Sequence, residues 1–303
     1  MKVVRKAVFE GHKAAIYALA ALDGLDDGSV YTGDGEGVVV RWQPAHSNDG
    51  VLYAQVPETV FSLLFLPTQN KAMIGTIHGN LYAVDAVSHQ LLKTVAAHRK
   101  GIFRLFWLRN TLYSLGGDGK LTTWEMSVLL PKETLHLSQK SLRGYAYNGK
   151  NDLAIAAADG TIFVVDTLLM QVTHTLLQAH APSAFTVAYS PCGKYLMSGG
   201  RDALLKIWTV ADYTLYHVIP AHIATINDLV FAPSGNFFAT ASRDKTIKIW
   251  HAQTFALLKV LDSKYGGHTR SVNQIRFGND NTLYSVSDDR TLIQWEIIAE
   301  TAD

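Results

Sequence analysis

The chain has 303 residues, 48% hydrophobic and 17% charged, enough for one large folded domain or two small ones and too apolar for a disordered chain. Its 27 Lys plus Arg balance 26 Asp plus Glu, so overall charge argues for neither nucleic acid nor an anionic membrane surface. A single cysteine, Cys192, excludes an internal disulfide, and no run of about 18 apolar residues is long enough to span a bilayer.

In chain order, Val3–Phe9 reads as a strand, too interrupted by charge for a signal-peptide core. His12–Trp42 follows, and its pattern recurs in His98–Trp124, His180–Trp208, His222–Trp250 and His268–Trp295. Each copy opens on Gly-His or Ala-His and closes, after a β-rich run, on Trp. Two degenerate copies fill the gaps and close on Val84 and Val165. The closing positions 42, 84, 124, 165, 208, 250 and 295 are separated by 42, 40, 41, 43, 42 and 45 residues.

The sixth copy divides into strands Thr225–Phe231, Asn236–Ala241, Thr246–Trp250 and Phe255–Leu261, separated by the turns Ala232-Pro233-Ser234-Gly235 and Ser242-Arg243-Asp244-Lys245. No segment has a useful helical period. After Trp295 too little chain remains for a fourth strand, whereas Val3–Phe9 precedes Gly11-His12 as Leu91–Val95 precedes Ala97-His98. The N-terminal strand is therefore expected to complete the last repeat and close a ring, which removes exposed strand edges.

A period of about 40–45 residues with Gly-His early and Trp late resembles the WD40-repeat family. The resemblance covers the whole chain and implies an all-β, seven-bladed propeller of four-stranded blades. Residues 1–303 would form one domain, with residues 2–9 completing the last blade. It also implies a buried set of His, Ser or Thr, Asp and Trp within a blade. The expected sets are His98, Ser114, Asp118 and Trp124; His180, Ser198, Asp202 and Trp208; His222, Thr240, Asp244 and Trp250; and His268, Ser285, Asp289 and Trp295. Ten residues before the closing position, Ile74 and Ile155 replace the hydroxyl in the two copies that lack Trp, so apolar packing is expected to replace the network there as a unit. The first copy has Thr32 but carries Glu36 where the others have Asp, and the second has His78. The Asp that follows Trp in the family name is absent after every Trp and survives only after Val84 and Val165. His98, Ser114 and Asp118 could be misread as a catalytic triad, but repetition of the set argues for a structural role.

No phosphate loop and no His-Glu-x-x-His zinc motif is present. Gly33-Asp34-Gly35-Glu36-Gly37 lies between strands and reads as a hairpin turn. Asp23, Asp26 and Asp27 lack an EF-hand spacing and read as a solvated loop, and Cys192 sits in the turn Ser190-Pro191-Cys192-Gly193. No metal or cofactor is expected. The resemblance places residues at the start of each innermost strand at the channel mouth. Counting five from each blade start gives Tyr17, Phe61, Phe103, Arg143, Phe185, Asn227 and Asn273, with Arg201 and Arg243 near the same rim. Four aromatics there suit a cationic or apolar anchor from a partner, or they plug the channel against one another.

These features lead us to expect a non-catalytic, cytoplasmic scaffold binding a protein or peptide at the channel mouth, a monomeric propeller within a possible hetero-complex. The competing readings are a propeller enzyme, which needs a cluster of acids and bases in the channel, and a nucleic-acid-binding subunit, which near-zero net charge disfavours.

Overall fold

The computed structural model describes residues 1–21, 28–278 and 281–298. Asp23, Asp26 and Asp27 lie outside these residues. Seven four-stranded antiparallel sheets are arranged as the blades of a propeller. Six blades take four consecutive strands each, and the seventh takes Val272–Phe277, Thr282–Ser287, Leu292–Ile298 and the N-terminal Lys2–Phe9. The N-terminal strand pairs antiparallel with the C-terminal one, from Lys2 opposite Ile298 to Phe9 opposite Leu292.

Burial peaks at the second strand of each blade and falls outward from there, and the sequence follows it. The second strand lies between two neighbouring blades and is buried on both faces; all six residues of Phe237–Ser242 are inaccessible. The fourth strand faces solvent, as in Leu130–His136. The cores therefore sit between blades: Ala18 and Val39 of blade one pack with Val60 and Ile74 of blade two. The fit is close, for a Cβ added to Gly33 would come within 2.5 Å of the Val60 side chain.

Strand ends in blade six differ from the sequence expectation by one or two residues. The Thr225 carbonyl accepts the Arg243 N–H from the facing turn, so the innermost strand begins at Ile226. Phe255 has φ 58° and donates its N–H to the His251 carbonyl, closing a turn, so the outer strand begins at Leu257.

One end of the propeller carries the blade-start loops and the turns between second and third strands. In all seven blades a backbone hydrogen bond joins the two, from Gly35 N to Ala15 O, Ile77 to Thr59, Gly117 to Gly101, Ala158 to Ser141, Arg201 to Ser183, Arg243 to Thr225 and Asp288 to Ser271. This end is the mouth face.

Candidate binding face at the channel mouth

Each of the four expected tetrads is assembled by one blade. In blade three the Trp124 indole donates to Ser114 Oγ at 2.9 Å, Ser114 lies 2.7 Å from His98 Nε2, and His98 Nδ1 lies 2.9 Å from Asp118. Blades five, six and seven repeat the chain from Trp208, Trp250 and Trp295 through Ser198, Thr240 and Ser285 to His180, His222 and His268, then to Asp202, Asp244 and Asp289. Proton bookkeeping fixes the tautomer. An ionised carboxylate only accepts, so Nδ1 carries the hydrogen and donates to it; in the neutral ring Nε2 then accepts from the hydroxyl, which in turn accepts from the indole. The carboxylate reaches on to the backbone N–H of Arg99, Ala181, Ile223 or Thr269, pinning the blade-start loop to the turn. These groups are saturated by one another, which leaves no free base or nucleophile.

Blade one corrects the sequence expectation. Its set is complete, but Asp34 supplies the carboxylate, 2.7 Å from His12 Nδ1, with Thr32 between His12 and Trp42. Glu36 points outward and is exposed. Asp34 ends its strand and also accepts the Glu36 and Val38 N–H groups, so it caps the hairpin that the glycines form. The two degenerate blades are corrected too, because polar contacts persist beside Ile74 and Ile155. In blade two Glu58 accepts from Thr76, Asn80 and Tyr82; in blade four Ser138 takes the histidine position and donates to Asp159. No neighbouring tetrad signals Glu58 in the sequence, since it lies on the loop and not at the repeated acidic position.

Burial alone would raise the tetrad carboxyls. Burial is the largest single effect, but the hydrogen bond from histidine, the histidine's electrostatic pull and the backbone and hydroxyl donors together outweigh it, holding Asp118 at about 2 and Asp202, Asp244 and Asp289 below the ordinary carboxylate range. A carboxyl depressed on folding contributes stability that is complete above its unfolded value, near 3.8, and is lost as pH falls through the folded one. The melting temperature should therefore fall progressively as pH drops below about 4, because the unfolded chain takes up protons that the four folded carboxylates resist. Thermal melts from pH 7 to pH 2 check this, and Asp244→Asn should show a shallower acid limb than the parent.

The seven mouth residues share a feature invisible in the sequence. Every innermost strand carries a β-bulge, and the extra residue is Tyr17, Phe61, Phe103, Arg143, Phe185, Asn227 or Asn273 in turn. A bulge leaves its residue out of the ladder and re-aims the side chain. Here it turns seven side chains toward the mouth, where all are half-buried. Tyr17 meets Phe61 edge-on at 5.5 Å, and Phe61 stacks on Phe103 at 5.1 Å and 18°. The Arg143 guanidinium lies 3.9 Å from the Phe103 centroid and 5.1 Å from that of Phe185. Asn227 and Asn273 complete the circle by donating to Val272 O and Ile16 O of the next blade, each at 2.8 Å. The rings thus pack against one another, and the seat that suited a partner's cation is filled by the chain's own Arg143.

Arg143 makes no hydrogen bond or ion pair among the described residues, and its Nε is buried without a partner. Burial, and secondarily the charge of Arg104, push this guanidinium down to about 10, which leaves it cationic at neutral pH. Arg201 and Arg243 are exposed on the rim. Cys192 is exposed in its turn, 3.3 Å from Ser190 Oγ.

Deeper in the channel lies a cavity of about 740 Å³, open toward the opposite face and lined by Arg104, Tyr145, Tyr189, Asp228, Gln274 and Arg276 among others. Arg104 of blade three reaches across to Asp228 of blade six at 3.8 Å. Asp228 also accepts the Leu229 and Ile275 N–H groups, and Gln274 accepts from Leu19 N, so these polar groups tie innermost strands together. Sequence reasoning missed them because each follows a mouth residue by one position, where no side-chain type repeats between blades.

A family description, "WD domain, G-beta repeat", matches residues 170–209, 213–251 and 259–296. The chain carries WD40 repeats within a seven-bladed propeller. The matched residues cover the last three repeats, and the tetrads of blades one and three extend the same chemistry beyond them. This WD40 propeller is similar in structure to the WD40 beta propeller domain of Doa1, with a TM-score of 0.85 and 16% identity over 97% of either chain, a likeness of fold. WD40 propellers are in general protein-interaction scaffolds and typically non-catalytic. No helix among the described residues is long and apolar enough to cross a membrane, and no group of three or more candidate metal-ligating side chains is found among them.

Proposed function

We propose that this WD40 propeller is a non-catalytic interaction platform, a subunit of a multiprotein complex that binds a protein or peptide partner at the channel mouth. The observation that carries the reading is the ring of seven bulge residues. A bulge costs ladder pairing, and repeating it in every blade puts one half-exposed side chain per blade at one place. Clustered, partly exposed aromatics beside a cation have the composition of interface anchors. The tetrads hold the surrounding loops rigid, which lowers the ordering cost of binding. The single exposed cysteine is consistent with a reducing, cytoplasmic setting.

A catalytic channel is the weaker reading, because Asp228 is occupied by Arg104 and by backbone N–H groups and is not free to act as a base. Phe103→Ala and Phe185→Ala should each weaken partner capture by about 2 kcal/mol or more, as loss of interface aromatics does, with the fold retained. Quantitative pull-down and thermal melting of the same samples check this. Intact capture with a lowered melting temperature would make the rings channel packing alone.

A further inference from the structure

The loops of the mouth face carry an uneven charge that the balanced total conceals. In blades three to six they hold the exposed Lys100, Lys140, Arg201, Arg243 and Lys245, with Arg143 recessed at the centre. None of these side chains forms an ion pair among the described residues. The acids of the same loops are Asp118, Asp159, Asp202 and Asp244. Three are committed to histidine, and Asp159 is held by Ser138 and the Thr161 N–H. These four carboxylates stay ionised but form no ion pair with the five exposed cations, which together with Arg143 outnumber them, so the arc keeps a net positive charge that an incoming anion would offset.

We propose that the mouth face of blades three to six docks an acidic segment of a partner protein, with one Asp or Glu carboxylate seated on Arg143. The inference rests on the platform reading and adds the partner's chemistry to it. Arg143 is pre-positioned for this. Its guanidinium plane is held between Phe103 and Phe185, so little side-chain freedom remains to be lost when a planar carboxylate arrives. The surrounding lysines and arginines would receive further acids along the segment and steer its approach. A nucleic acid fits less well. Single strands bind by stacking bases on free ring faces, and both faces of Phe103 are taken, one by Phe61 and the other by Arg143.

The test measures fluorescence anisotropy of a short labelled Glu-rich peptide on the full chain, beside its Gln counterpart and a single-stranded oligonucleotide. The Glu peptide should bind more tightly than the Gln peptide by at least about tenfold, and more tightly than the oligonucleotide. Arg143→Met keeps the stacked side chain without its charge and should cut Glu-peptide affinity by a similar factor. The exposed pair Arg201→Glu/Arg243→Glu should do the same with an unchanged melting temperature, which covers the case of an unstable Arg143 variant. Equal binding of Glu and Gln peptides, tighter binding of the oligonucleotide, or indifference to the charge-reversed pair would each overturn the proposal. The platform reading fails separately: loss of partner capture in Phe103→Ala but not in the charge-reversed pair leaves a platform whose partner is not acidic. Capture that survives both removes the mouth as a platform.

Discussion

Removal of residues 1–10 should leave the protein insoluble or lower its melting temperature by roughly 10 °C or more, on the scale at which a few kcal/mol shifts a domain of this size. Two losses combine. The first is the outer strand of blade seven, whose absence exposes the unpaired edge of Leu292–Ile298, a template for association with other chains. The second is Phe9, which is fully buried with its ring 5.6 Å from that of Trp42. It packs with Ile16, Leu19 and Val30 of blade one and with Tyr284, Val286 and Leu292 of blade seven, so it fills the seam at which the ring closes. Phe9→Ala separates the two effects. It keeps the strand and should cost about 3–5 kcal/mol, the range for emptying a buried aromatic site. Melting and sedimentation of both variants are the measurements. A truncated chain as stable and monodisperse as the parent would mean that blade seven stands on three strands.

The second large effect concerns the tetrads, and it compares two blades. Asp244→Ala removes the acceptor for His222 Nδ1–H, the Ile223 and Thr246 N–H groups and the Thr246 hydroxyl, leaving the buried His222 donor unpaired while water can reach the others. One buried unpaired donor costs about 1–3 kcal/mol, so the blade-six loop should loosen and overall stability should fall by about that much. Asp34→Ala should be as damaging in blade one, because the His12, Glu36 and Val38 donors all converge on Asp34. Glu36→Ala should leave the melting temperature unchanged, since that side chain is exposed and outside the network. Denaturant unfolding of the three variants decides it. A Glu36 variant weaker than the Asp34 variant would contradict the observed hydrogen bonding.

Much of this molecule was legible without coordinates. The spacing of the closing Trp and Val positions sets the number of blades, because one repeat is one sheet that cannot bury its faces alone. The covariation within the chain is legible for the same kind of reason. Ser or Thr ten residues before each Trp is lost in the two copies that lost Trp, since a buried indole N–H without its acceptor is costlier than none. The missing fourth strand at one terminus and the spare strand at the other make closure readable as an inventory of edges.

What the tertiary structure decided are matters of direction and contact. Asp34 and Glu36 lie two residues apart in a glycine-rich hairpin, and only the bend of that hairpin determines which carboxylate meets His12. The mouth residues could be placed by counting, but the bulge that aims them arises from pairing between strands and leaves no mark on residue type. The solitary state of Arg143, stacked between Phe103 and Phe185, depends on blades three, four and five meeting at the channel. The chain's balanced charge likewise hides the basic arc, because the acids of those loops are drawn into structural bonds while their lysines and arginines stay in solvent. Periodicity reports what each repeat must bury. The placement of side chains from different repeats around a common axis follows only once the ring has closed.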